Sequence, residues 1–122
     1  MPFSSLPAGC PPEDAIPCVG PIYRLVDSAP PTEADFVSYF DEYPGKDWGE
    51  DDCQARGLSV YLTYGDAERI RRRIGRFRGK KIAVATLQPA VGLIKKTGND
   101  HHTWWPEDGV TIPPLFSEAG TQ

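Results

Sequence analysis

Hydrophobic and polar positions divide this chain into an unpatterned opening stretch and a series of short periodic segments. Ile22-Tyr23-Arg24-Leu25-Val26 alternates between Pro21 and Asp27 and predicts a strand. A period of two puts Ile22, Arg24 and Val26 on one face and Tyr23 and Leu25 on the other. An arginine that shares a face with two apolar residues belongs at the strand's rim or in a functional cleft. Farther on, Phe36, Tyr39, Phe40 and Tyr43 recur at helical spacing. They predict a helix that starts at a Thr32–Asp35 capping box and stops at Pro44-Gly45, its aromatic stripe packed in the core. The acidic stretch KDWGEDDCQARG has no period and predicts a loop.

Gly57 opens a second predicted strand, Leu58 to Thr63, and Asp66 is placed to cap the helix AERIRRRIGRF. In that helix Ala67, Ile70, Ile74 and Phe77 make the inward stripe, while Arg69, Arg72, Arg73 and Arg76 face outward. Residues 81–87 and 92–96 predict two more strands. The resulting order, β-α-β-α-β-β with long loops, points to a small α+β domain with a mixed or antiparallel sheet and two main helices. Nearly half of the 13 prolines fall in the first 21 residues. We expect residues 1–21 to form an extended Pro-rich arm, 22–118 the single domain, and 119–122 a tail.

At 122 residues the chain has the length of one domain, and no apolar run approaches the roughly 20 residues needed to span a bilayer. The opening residues lack the basic start and apolar stretch of a signal peptide, so the expected setting is soluble and cytoplasmic. The net charge of −4 conceals a split of −10 over residues 1–68 and +6 over residues 69–122. Eight basic residues lie between Arg69 and Lys81. They form either an anion site or the solvated face of an amphipathic helix, and the same surface could hold a protein partner. The pI near 5.1 argues against a dedicated nucleic-acid binder. Cys10, Cys18 and Cys53 are odd in number and suit neither a disulfide framework nor a zinc knuckle, so no metal is expected. The run Glu50-Asp51-Asp52 is read as solvated, and its charge would raise the pKa of the neighbouring Cys53 thiol.

Two constellations carry the candidate chemistry. Tyr23-Arg24-Leu25, taken with the segment from Gly57 to Ile70 (GLSVYLTYGDAERI), resembles the ADP-ribosyltransferase-like fold. That resemblance implies that an early strand offers Arg24 to grip NAD, and that Ser59 or Tyr61 lines the nicotinamide pocket. It also implies a Glu on a later strand, which no residue here fills: Glu107 lies in a Pro/Gly loop and Glu118 near the end of the chain. The second constellation is Asp100-His101-His102-Thr103-Trp104-Trp105-Pro106, similar to a stretch in small uncharacterised bacterial proteins. There His101 or His102 could act as general acid or base, and Trp104 and Trp105 could stack a base, or the two indoles could plug the core. The candidate site is therefore Arg24, Ser59, Tyr61, His101 and His102, with Arg24, Tyr61, Trp104 and Trp105 holding NAD or another nucleotide-like molecule. A reaction there would fall on an N-glycosidic bond. The rival expectation is a non-catalytic interaction module of immunity or accessory type, using the charge-polarised surface around Arg69–Lys81. Phosphate-loop and dinucleotide fingerprints are both absent.

Overall fold

The computed structural model describes residues 3–120. Two antiparallel sheets face each other across a shared core, giving an α+β domain. The first sheet has the order β1-β5-β6-β3. Its strands are β1 (Ile16–Pro17), β3 (Leu58–Val60), β5 (Gly92–Lys96) and β6 (His102–Pro106). The second has the order β2-β4-β7, made of β2 (Gly20–Val26), β4 (Lys81–Leu87) and β7 (Ser117–Glu118). Strands β2 and β4 pair along their whole length, from Gly20 opposite Leu87 to Val26 opposite Lys81. A bridge between Tyr23 and Tyr61, with N–H···O distances of 2.7 and 2.8 Å, joins the end of β3 to β2.

Period-two alternation explains the layers. Ile22 and Val26 from β2, Ala83, Ala85 and Leu87 from β4, and Leu58, Val60, Ile94 and Trp104 from the other sheet fill the space between the sheets. The opposite face of the β2–β4 pair carries Tyr23, Leu25 and Ile82, and the helix α3 (Tyr64–Arg73) covers it with Ala67 and Ile70. Thr63, not Asp66, is the N-cap of α3: its side chain accepts the Asp66 N–H at 3.0 Å. Ile74 and Phe77 still pack inward but lie beyond the helix end, Ile74 as its C-cap and Phe77 in a 3-10 turn over Gly75–Phe77.

Three expectations need correction. The predicted aromatic helix is broken into a 3-10 turn, Glu33–Phe36, and the short α1 (Tyr39–Glu42). The cause is Asp35, whose buried carboxylate turns back to accept the Asp27 and Thr32 N–H groups at 2.7 and 2.9 Å. Val37 is then extended, Ser38 caps afresh, and the stripe loses its common face: Tyr39 and Tyr43 are exposed. The acidic stretch is likewise ordered. It forms α2 (Asp52–Arg56), and Cys53 is disulfide-bonded to Cys10, 43 residues earlier, leaving the buried Cys18 as the free thiol. Finally, residues 3–21 are not an appended arm. Besides the Cys10 link, β1 pairs with β5, Ser5 Oγ donates to Asp108 at 2.9 Å, and β2 begins before residue 22. The expected tail also docks, with the Ala119 N–H on the Ile82 carbonyl, while residues 121–122 lie outside the described residues.

Candidate functional site

A cavity of about 760 Å³ opens between β2, β3, the start of β6 and the segment from Ala34 to Gly57. Arg24, Ser59, Tyr61 and His101 all line it. That volume falls inside the roughly 300–1,000 Å³ typical of small-molecule sites.

Arg24 sits in β2 on the core-facing side, flanked by the fully buried Ile22 and Val26. Apolar neighbours on both sides deprive its guanidinium of water, and two carbonyls compensate in part. Nε donates to Asp35 O at 2.9 Å and Nη1 to Ser59 O at 2.8 Å, while the Phe36 ring centroid lies 5.7 Å from Cζ. Among the described residues no carboxylate forms an ion pair with it; the nearby Asp35 carboxylate is engaged by backbone N–H groups. Burial pulls the Arg24 pKa down to about 10, with the charges of Tyr39 and Asp35 acting the other way. The group remains a cation at neutral pH, held rigidly and with its charge uncompensated by contact.

His101 stands at the end of the β5–β6 hairpin, where the Thr97 and Gly98 N–H groups both donate to its carbonyl. Gly98 permits this close turn: a Cβ there would lie 3.1 Å from the Cβ of His101. The imidazole bridges two hydroxyls, with Nδ1 2.7 Å from Thr97 Oγ1 and Nε2 2.8 Å from Ser59 Oγ. Thr97 Oγ1 is in turn 2.9 Å from Oγ1 of the buried Thr103. Burial, helped by His102, lowers the His101 pKa below its ordinary value, so the ring is neutral at pH 7. Tyr61 meets the imidazole edge-to-face at 5.9 Å between centroids, and burial raises its phenol pKa.

Alternation along the strand separates the rest of the histidine–tryptophan stretch. Thr103 lines the cavity beside His101, while His102 and Trp104 point to the opposite face. His102 pairs with Val60 and Lys96 in the sheet and contributes no wall to the cavity. Trp104 is 0 % exposed, packed at 6.0 Å against Phe116 in the core, and Trp105 is 1 % exposed with its Nε1–H on Cys53 O at 2.9 Å. Both indoles thus plug the fold and are unavailable for stacking a ligand. Gly57, at the cavity wall, is needed because Thr103 and Trp105 lie against it: a Cβ there would fall inside the Thr103 methyl and 3.0 Å from Trp105 Nε1.

Aromatic surface is supplied instead by residues that the periodic reading did not assign to a site. Tyr39, Tyr43 and Trp48 form a mutually packed trio at the cavity rim, with centroid separations of 6.4 to 6.5 Å. Lys46 Nζ lies 4.0 Å from the Trp48 ring centre. Trp48 Nε1 is buried without a hydrogen-bond partner, an orphan donor beside the cavity. The only sequence signal for this trio was three aromatic rings within ten residues, two of them forecast to be core. Acidic side chains on the lining are Asp27, Asp35, Glu42 and Asp51; Glu107 and Glu118 are elsewhere.

Half of the basic residues in the stretch are paired with carboxylates. Arg69 pairs with Asp66 and Asp100, Arg71 and Arg72 share Glu68, and Lys80 reaches Asp27. Among the described residues no group of three or more His, Cys, Asp or Glu could hold a metal ion, and no helix is long and apolar enough to cross a membrane. Comparison with protein-family models, with curated proteins and with solved structures finds no match for this chain.

Proposed function

We propose that the cavity binds a nucleotide-like small molecule, NAD among the candidates, in a domain resembling the ADP-ribosyltransferase-like type. The observation that carries this reading is Arg24: a cation in low-dielectric surroundings, anchored by two carbonyls and lacking a carboxylate partner, on the wall of a ligand-sized hollow. A phosphate group supplies the missing anion and can accept in the fork geometry of a guanidinium. The rim trio of Tyr39, Tyr43 and Trp48 offers flat apolar faces for a base, and the orphan Trp48 N–H offers a donor. Anion and planar ring together describe a nucleotide better than they describe a simple sugar or a lipid.

The rival reading, a protein partner held by Arg69–Lys81, draws less support because intramolecular carboxylates already take up Arg69, Arg71, Arg72 and Lys80. The cytoplasmic expectation meets a physical objection in the Cys10–Cys53 bond, since such links persist in oxidising compartments. Thiol alkylation before lysis, followed by intact-mass measurement, decides which state the cell maintains.

Titration with ADP-ribose, NAD and inorganic phosphate, followed by NMR, tests the binding reading. ADP-ribose should move the Arg24 Nε–H, Trp48 Nε1–H and His101 resonances together. No shift at these groups at millimolar ligand overturns it.

A further inference from the structure

From the cavity wall a hydrogen-bonded relay that simple ligand binding does not require runs behind the lining to Thr97. Ser59 Oγ, His101 Nε2 and Nδ1, Thr97 Oγ1 and Thr103 Oγ1 follow one another at 2.8, 2.7 and 2.9 Å. Two proton orderings satisfy these contacts; in one of them Ser59 O–H donates to Nε2, Nδ1–H donates to Thr97, and Thr97 O–H donates to the buried Thr103. In that ordering the neutral imidazole presents its lone pair to the serine. This is the arrangement in which a base activates a hydroxyl while a third group holds the ring. The Arg24 guanidinium lies immediately beside it, bonded to the carbonyl of the same Ser59 at 2.8 Å.

We infer that Ser59 is a nucleophile toward phosphorus, with His101 as its general base and Thr97 as the residue that positions the imidazole. The substrate class is a phosphoric ester or anhydride, and the inference rests on the anion site of the proposed function. Phosphorus is favoured over an acyl carbon because Arg24, a cation without a carboxylate partner, is bonded to the carbonyl of the same residue, where its charge would neutralise the equatorial oxygens of a phosphoryl group. In the first step Ser59 Oγ bonds to phosphorus as the bond from phosphorus to the leaving oxygen breaks. The Ser59 proton passes to His101 Nε2 and then to the leaving oxygen, which departs protonated. In the second step water attacks the serine-bound phosphorus, His101 takes the proton from water, and Ser59 leaves and recovers it. Water is the sole co-reactant.

An alkyl fluorophosphonate tests the inference, because it reacts irreversibly with activated serines and releases fluoride. Peptide mass spectrometry should find one label, on Ser59, with the exposed Ser117 of the same protein as internal reference. The rate at Ser59 should fall about 100-fold in His101→Gln, the lower end of what a general base contributes. In Thr97→Val it should fall by less, with a change in the His101 ring-nitrogen shifts that reports loss of the Nδ1 partner. Labelling of Ser59 that is no faster than that of Ser117, or unchanged in folded His101→Gln, overturns the proposal. Should His101→Gln fail to fold, the Ser59-to-Ser117 ratio in the native protein decides by itself. The ADP-ribose titration runs alongside: binding without labelling rejects the nucleophile alone, whereas no binding rejects the site reading.

Discussion

The back wall of the cavity and its rim are built on opposite terms. The wall, with Arg24, Gly57, Ser59, His101 and Thr103, is made of residues in strands or at their ends, locked by hydrogen bonds and neighbouring backbone. The rim, with Tyr39, Tyr43 and Trp48, consists of partly exposed rings around the four-residue α1, held chiefly by contact with one another. Wall residues therefore serve both the fold and the ligand, and altering them should disturb both. Rim residues can be altered for binding alone. A preorganised wall carrying charge, faced by an adaptable aromatic rim, divides recognition between an anion and a planar group.

The largest effect should come from cutting the tie behind the wall. The Cys10–Cys53 bond anchors α2, which runs directly into Gly57 and β3. Cys53→Ser should lower stability by about 2–4 kcal/mol in urea denaturation, from the chain entropy returned to the unfolded state. Next comes Arg24→Ala. It leaves the Asp35 and Ser59 carbonyls without their donor, a loss of about 1–3 kcal/mol. It should also abolish ADP-ribose binding. If Arg24→Ala binds as well as the native protein, the wall has no role in recognition and the comparison fails.

At the rim the two roles should separate. Trp48→Ala should weaken ADP-ribose binding about tenfold, as expected for one lost stacking partner, while the affinity for inorganic phosphate and the melting temperature stay unchanged. Calorimetry with both ligands reads the difference. A matching loss for phosphate would show that the rings support Arg24 rather than meet a base. As a control away from the cavity, Arg69→Ala should leave both affinities intact, since neither it nor its two carboxylate partners lines the cavity.

Legibility in the sequence followed the same division. Arg24 stands out because it breaks the apolar face of its strand, whereas Ser59 and Tyr61 come only from what the resemblance of the Gly57–Ile70 segment implies. What period and spacing convey is the direction of a side chain along one element. They could not choose between His101 and His102, because that choice depends on where the hairpin turn closes, and Thr97 sets it through the His101 carbonyl. Nor could they show that Trp104 and Trp105 are both sealed, each on its own face of β6, since one faces the core and the other α2. The rim was misjudged for a local reason. Asp35 diverts the chain from the helix that the aromatic spacing describes, and no periodicity argument includes a carboxylate that bonds backward to Asp27. The Cys10–Cys53 link was equally out of reach, since pairing is a matter of distance in space.

The smallest expected effect is the most specific to the wall. Burial depresses the pKa of His101, and the cost of charging it can be read from pH. Between its folded value and the unfolded value near 6.5, the unfolded chain binds the proton more readily, so stability rises with pH through that interval. Acidifying from pH 7 should therefore cost stability progressively below about 6.5 and level off, for this group, once the folded ring is protonated. His102 is shifted in the same direction, by burial and then by Lys96, so the stability curve alone cannot assign the change. Following the ring carbons of both histidines by NMR can. His101 should be the one whose protonation moves Ser59 and Thr97, because only its nitrogens touch their hydroxyls. An imidazole at position 101 that titrates at or above 6.5 with no response at Ser59 would mean that the wall is wet and the relay is open. In that case the contrast between a locked wall and an adaptable rim would no longer hold.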